Sequence, residues 1–432
     1  MNNKKNILLK NGHVIDPLND IDWVFDVLII DGKIMSLSKD IKPEYENTEV
    51  IDVSGLIVVP GLIDCHVHLR DPGYEEKETI ETGSRAAAKG GFTTIICEPN
   101  TNPPIDDVEQ VENLMKKVKE KGLVNIYTKV CITKGSKGNT LTDIERLSNL
   151  KNVTALSDDG NPVLKKSVME EALKLASLNN IPVSPHCEDS GSLSVKNATV
   201  EELGFNPGGI FENEANFISR DINYAKSTGC HVHFSHISFK ESVEHIRKWK
   251  EQANITCEAT PHHLLLDRDY VDGNGEKPKV NPPLRSQNDV KSIRKGLSEG
   301  IIDVIASDHA PHTLADKKAG SPGIIGMETT LGLIITKLVR PGIISLKDAV
   351  LKMSSNPAKI FKIPGGSLLP GTDADVTIID MNKEWTVDVD KFESKSRNCP
   401  FHGLKLQGQA VMTIVGGNIV MKDGNFSKKN CR

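Results

Sequence analysis

The sequence predicts an α/β fold: a (β/α)8 TIM-like barrel carrying a small β-sandwich module built from both termini. Three observations carry this. Eight short apolar or β-branched runs recur through the middle of the chain, mostly about thirty residues apart, with helix-like stretches between many of them. The two ends have a different texture, rich in short strands and turns. At 432 residues the chain is also longer than a usual single domain, unless it is a barrel with an appendage. A doubly wound open sheet is the alternative, but no G-x-G-x-x-G follows an early strand.

Taken in order, strands are expected at 6–9, 24–30, 33–37 and 50–53, with Asp31-Gly32 as a tight-turn signal. The central runs are 62–66, 92–97, 124–132, 153–157, 181–185, 231–235, 255–258 and 302–307. Helices are expected at 77–89, closed by Gly90-Gly91 in the usual C-terminal cap position, at 107–121 and at 167–177. Further strands follow at 375–379, 386–389, 410–415 and 418–421. Residues 1–58 and 365–432 are expected to form the composite module, and 59–364 the barrel.

Composition narrows the function classes. The chain is 38% hydrophobic and 26% charged, with a net charge of −5, and no basic run marks a nucleic-acid surface. Ile7-Leu8-Leu9 is too short for a signal peptide core, and no apolar run approaches the ~18 residues of a membrane helix. The eight cysteines form neither a C-x-x-C pair nor a disulfide-like framework, so reduced, buried thiols in a cytoplasm are expected. Trp23, Trp249 and Trp385 are scattered and read as packing residues.

The chemistry gathers where barrel active sites lie, just after the strands. His66 and His68 close the first run, and strand alternation points both imidazoles, and Arg70 after them, the same way. Pro99-Asn100-Thr101 follows the second run, Asp158-Asp159-Gly160 the fourth, and His186-Cys187-Glu188-Asp189 the fifth. His236 follows the sixth, and Asp308-His309-Ala310-Pro311-His312 the eighth. Imidazoles and carboxylates at five strand ends suit one or two borderline divalent ions such as Zn²⁺. An open coordination position would hold water, whose pKa a bound metal lowers toward neutrality, with a neighbouring carboxylate as proton carrier. Periodicity does not choose between Asp158 and Asp159. His231 and His233 share a strand face opposite His236; they compete with it as ligands or, inside a strand, read as packing residues or partners of the ligands, while His262 and His263 read as structural. Glu188 and Asp189 are either solvated or orient His186.

Together these motifs resemble the amidohydrolase superfamily and, within it, the class I dihydroorotases. The matching stretches run from Asp64–Gly73 through Glu78-Thr-Ile-Glu-Thr-Gly83, Gly90-Gly-Phe-Thr-Thr94 and Ser157-Asp-Asp-Gly160. They continue through Ser235-His-Ile-Ser238, Thr260-Pro-His-His-Leu264, Asn281-Pro-Pro-Leu-Arg285 and Asp308-His-Ala-Pro-His312. The resemblance implies one zinc held by His66, His68, Asp159 and Asp308, and a second held by His186 and His236 with Asp159 bridging. Many relatives bridge with a carboxylated lysine; the Asp-Asp pair resembles the bacterial subgroup that uses aspartate. It further implies that His68, Arg70, Asn100 and His312, joined by Asn281 and the backbone near Pro322-Gly323, contact the substrate, and that Asp308 is the catalytic base. Two features depart from the family: Glu98 stands where methionine is usual, and the segment 313–325 is shorter.

The implied activity is metal-dependent, reversible hydrolysis of dihydroorotate to N-carbamoyl-aspartate in pyrimidine synthesis. Rivals are hydantoinase, dihydropyrimidinase or allantoinase, which share the metal centre, and a non-catalytic assembly subunit, which would have lost ligands. A homodimer, and a partner such as aspartate carbamoyltransferase that orders the loops, belong to the same expectation; neither a membrane nor nucleic acid does.

Overall fold

A computed structural model of the chain describes residues 6–427 except 44, 46, 189–198, 206–212 and 275–277. Alternating side chains at the two ends of the chain build one nine-stranded mixed sheet. Its path runs Asn425–Phe426, Asn418–Lys422, Lys405–Val415, Val376–Thr386, Ile57–Pro60, Asn6–Asp16, Ile21–Ile30, Lys33–Ser38, with Thr48–Asp52 parallel to Asn6–Asp16. The two ends of the chain meet where Ile57–Pro60 lies antiparallel to Val376–Thr386, pairing Val58 with Ile378 and Pro60 with Val376. Val14, Val27, Val58, Val376 and Ile414 are fully buried in this sheet's own core, each contributing about 1.5–3 kcal/mol of apolar burial. The expected strand at 386–389 is instead the end of Val376–Thr386. A 3-10 turn follows at Val389–Lys391, because the Asp388 side chain caps the backbone N–H of Asp390.

The middle of the chain forms parallel strands in sequence order. Leu62–Val67 pairs with Phe92–Cys97, that with Asn125–Val130, and that with Val153–Leu156. A single bridge on each side of Val183 carries the order to Val232–Phe234, then Ile255–Ala259 and Val304–Ile305. A parallel bridge between Val67 and His309 returns to the first strand. The strands are short and buried on both faces, which is why they read as apolar runs rather than alternations.

The helices begin and end where their caps dictate. Ile80–Gly90 starts at Thr79, whose hydroxyl accepts from Thr82, and stops at Gly91, which takes φ 91°. Val108–Lys121 is capped by Asp107, and Lys166–Leu178 buries Met169, Ala172, Leu173 and Ala176. Gly61 joins the terminal sheet to the first parallel strand; a Cβ there would stand 2.1 Å from Thr93 Oγ1, so only glycine lets the two strands run on through the packing. Among the described residues no helix is long and apolar enough to cross a membrane. The seven described cysteines are buried and unpaired, as expected.

Candidate metal centre

The strand ends converge. Around His66 Nε2 lie Asp159 Oδ1 at 3.4 Å and Asp308 Oδ1 at 3.7 Å. His68 Nε2 is 3.1 Å from Asp308 Oδ1 and 3.6 Å from Asp159 Oδ2. On the other side of Asp159, its Oδ1 is 3.4 Å from His186 Nδ1 and 3.6 Å from His236 Nε2, and those two nitrogens are 3.0 Å apart. Two overlapping ligand groups result, His66/His68/Asp308 and His66/Asp159/His236, with His186 beside the second. The chain turns sharply to present them: Arg70, His236 and Asp308 take φ of 60°, 33° and 46°, a left-handed conformation that side chains adopt only under constraint.

These residues fit a divalent ion. Metal–ligand bonds near 2.0–2.1 Å in a tetrahedron set neighbouring ligand atoms about 3.3 Å apart, and the separations above bracket that value. His66 Nε2 and Asp159 Oδ1 are buried without a hydrogen-bond partner among the described residues, a cost that a ligand would remove. Charge agrees. Burial alone would lower the His66 imidazole, but Glu98, Glu258 and Asp159 raise it well above its ordinary value. Burial would likewise raise Asp308, yet the His68 hydrogen bond and the nearby imidazoles hold its carboxyl far below the usual range. The pocket attracts positive charge.

Residues 57–420 match the amidohydrolase family. Dihydroorotase of Acetivibrio thermocellus is 42% identical over 428 residues, covering 96% of this chain and 99% of that protein. Dihydroorotase of Aquifex aeolicus is 44% identical over 424 residues, again 96% of this chain and 99% of that one. The chain belongs to the amidohydrolase family, in its dihydroorotase branch. Among solved structures, L-hydantoinase (dihydropyrimidinase) from Arthrobacter aurescens superposes with a TM-score of 0.87 at 25% identity, over 98% of this chain and 97% of that one.

Within this amidohydrolase the structure separates residues that spacing left equivalent. Asp158 turns away from the centre and accepts from the backbone N–H of Thr133 at 3.1 Å and from its hydroxyl, leaving Asp159 to face the imidazoles. Glu188 is neither solvated nor bonded to His186; it pairs with Arg285 at 2.8 Å, and burial pushes its carboxyl up to about 7. Asp189 lies outside the described residues. His263 bonds Thr260 and the Pro282 carbonyl, a structural role, while His262 is buried beside it.

At the mouth, Arg70 donates to the Pro311 carbonyl at 3.2 Å and to His312 Nε2 at 3.3 Å, close enough for both side chains to meet one anion. Asn100 bridges inward: its Oδ1 accepts from His68 Nδ1 at 2.9 Å and its Nδ2 donates to Asp159 Oδ2 at 3.1 Å. The Asn281 amide lies 3.1 Å from His186 Nε2. Gly323 already uses both backbone groups, its N–H on Lys279 and its carbonyl on Lys317 and Asn398, and Pro322 has no N–H to offer.

Two buried residues escaped sequence reading. Glu258, at the end of an apolar strand, holds His66 Nδ1 at 2.6 Å. Lys129, inside the strand Asn125–Val130, pairs with Glu98 at 2.5 Å, both side chains fully buried. Glu98 therefore lies 3.7 Å from His66 Nε2 with its charge compensated by Lys129. The signal was available: a charged residue within an apolar run on one strand, and an acid at the same level on its neighbour.

Proposed function

We propose that this amidohydrolase catalyses the reversible hydrolysis of (S)-dihydroorotate to N-carbamoyl-L-aspartate, with zinc as its metal. The observation that carries the substrate is the guanidinium of Arg70 beside His312 at the mouth of a ligand cluster; a ring bearing a carboxylate suits it, an uncharged ring does not. The high identity to dihydroorotases over nearly the whole chain supports the same reading. In it, 59–364 is a (β/α)8 barrel, supported by parallel pairings that return to the first strand, and 1–58 with 365–432 is the β module.

His66, His68, Asp159 and Asp308 would hold one ion, and His186 and His236 a second, with Asp159 between them. A divalent ion held there supplies Lewis acidity for the ring amide and for water. Arg70, with His312, fixes the substrate carboxylate and so the position of the ring over the centre. Asp308, an ionised carboxylate 3.1 Å from His68 Nε2, accepts the proton of the attacking water. The water oxygen bonds to the ring carbonyl carbon, the carbon–nitrogen bond breaks, and Asp308 returns the proton to the ring nitrogen. The new carboxylic acid ionises above about pH 4, so high pH favours opening and low pH closure.

Turnover on L-dihydroorotate beside dihydrouracil, hydantoin and allantoin tests the assignment. A preference for dihydroorotate that Arg70→Ala abolishes is expected. Activity on the uncharged rings alone would favour the second reading, a hydantoinase-type enzyme, to which the structural likeness also points.

A further inference from the structure

Behind the metal ligands a second line of buried polar groups runs toward the opposite end of the strands. Glu258 is fully buried, and four donors converge on it. His66 Nδ1 at 2.6 Å and the backbone N–H of His236 at 3.3 Å reach Oε1; His233 Nε2 at 3.2 Å and Cys65 Sγ at 3.1 Å reach Oε2. As an ionised carboxylate Glu258 can only accept, so both imidazoles donate to it. That fixes the proton of His66 on Nδ1 and leaves Nε2 bare toward the metal cluster.

The same bookkeeping extends outward. A neutral His233 with its proton on Nε2 can only accept at Nδ1, and Thr256 Oγ1 stands 2.8 Å away. His233 and Thr256 are paired residues on adjacent parallel strands, which places the hydroxyl there. With its one hydrogen spent on His233, Thr256 Oγ1 accepts from His231 Nε2 at 2.9 Å. His231 lines a cavity of about 470 Å³ bordered by Asn180, Asn254 and Lys362. Proton placement is thus determined at every link, from that cavity to the back of His66.

We propose that His231, Thr256, His233 and Glu258 form an ordered relay that holds His66 in its metal-ligating tautomer, with Thr256 and His231 as remote positioning residues for metal retention. The inference deepens the proposed function and rests on its assignment of His66 as a ligand. It also accounts for the buried Cys65, His233 and Glu258 cluster as a saturated hydrogen-bond centre rather than a further ion site.

The first test needs neither a mutant nor activity: ¹⁵N NMR of the histidine rings in the zinc-loaded full chain. Protonation at Nδ1 of His66 and Nε2 of His233 is expected, and either tautomer reversed overturns the relay. The second is competition for bound zinc with a chelator, reading metal content directly. Thr256→Val should weaken zinc retention roughly tenfold, within the range for partners of metal ligands, and His231→Phe by less, while Thr256→Ser stays near wild type. Retention unchanged in Thr256→Val overturns the proposal. Stoichiometric zinc with the expected tautomers but no turnover on dihydroorotate would overturn the function and leave the relay standing.

Discussion

Buried carboxylates in the terminal sheet and at the strand ends meet opposite fates. Asp26, in the sheet, accepts from the backbone N–H groups of Asn11 and Ile41 at 2.8 and 2.9 Å and from Lys10 at 2.5 Å. Asp375 accepts from Gly416 and Asn125, both at 2.7 Å. Asp159, buried as well, leaves Oδ1 without a hydrogen bond and aims it at three imidazole nitrogens. Saturation with donors marks a carboxylate that holds the fold; an oxygen left bare in the middle of three imidazoles marks one kept for a ligand. The first kind adds stability of its own, the second gives some up.

The largest effect should come from removing the metal. Exhaustive chelation should abolish turnover and added zinc restore it, while the metal-free protein melts lower, having lost about 2.7 kcal/mol of stability relative to zinc at a hundredfold excess over Kd. Turnover that survives chelation would end the metal reading. Next, Asp308→Asn should cut kcat by about 10²–10⁴-fold while leaving stability in urea close to wild type. Near-wild-type turnover would remove Asp308 from the mechanism.

Asp26→Ala should do the reverse. It strands two backbone N–H groups and a lysine, so unfolding free energy should drop by about 1–3 kcal/mol with kcat unchanged; a loss of kcat in fully folded protein would erase the distinction.

The smallest effect is a pH dependence outside the centre. Burial pushes Glu328 up to about 7, against the pull of Lys89 and the backbone N–H groups of Ser394 and Glu393. Its folded pKa lies above its unfolded value, so it favours the folded state more as pH falls from about 7 toward 4.5. Glu328→Gln should remove that part of the slope, about 3 kcal/mol over the whole interval. Urea midpoints between pH 5 and 8 would show an unchanged slope if Glu328 does not titrate there.

Much of this contrast was legible in the sequence, because barrel-like chemistry sits at strand ends and strand ends are visible as the close of apolar runs. His66, His68, His186, His236 and Asp308 were found that way, and the geometry brings them together. The choice between Asp158 and Asp159 was not legible, since alternation stops where the strand stops and the next turn decides which acid faces inward. The left-handed backbone at Arg70, His236 and Asp308 left no trace either, because none is glycine. Glu258 and Lys129 stood out only as charges in apolar runs; what they pair with was not legible, because their partners come from other strands and register between parallel strands cannot be read from one sequence.

The pairing of Ile57–Pro60 with Val376–Thr386 also has a consequence for biosynthesis. More than three hundred residues separate these partners, roughly 15–60 s of synthesis at about 5–20 residues per second. Throughout that interval the nascent N-terminal strands lack their neighbour and offer an unpaired hydrogen-bonding edge to any extended peptide nearby. Prematurely terminated chains ending before Val376 would keep that edge permanently, which makes them substrates for chaperones and proteases rather than partly active enzymes.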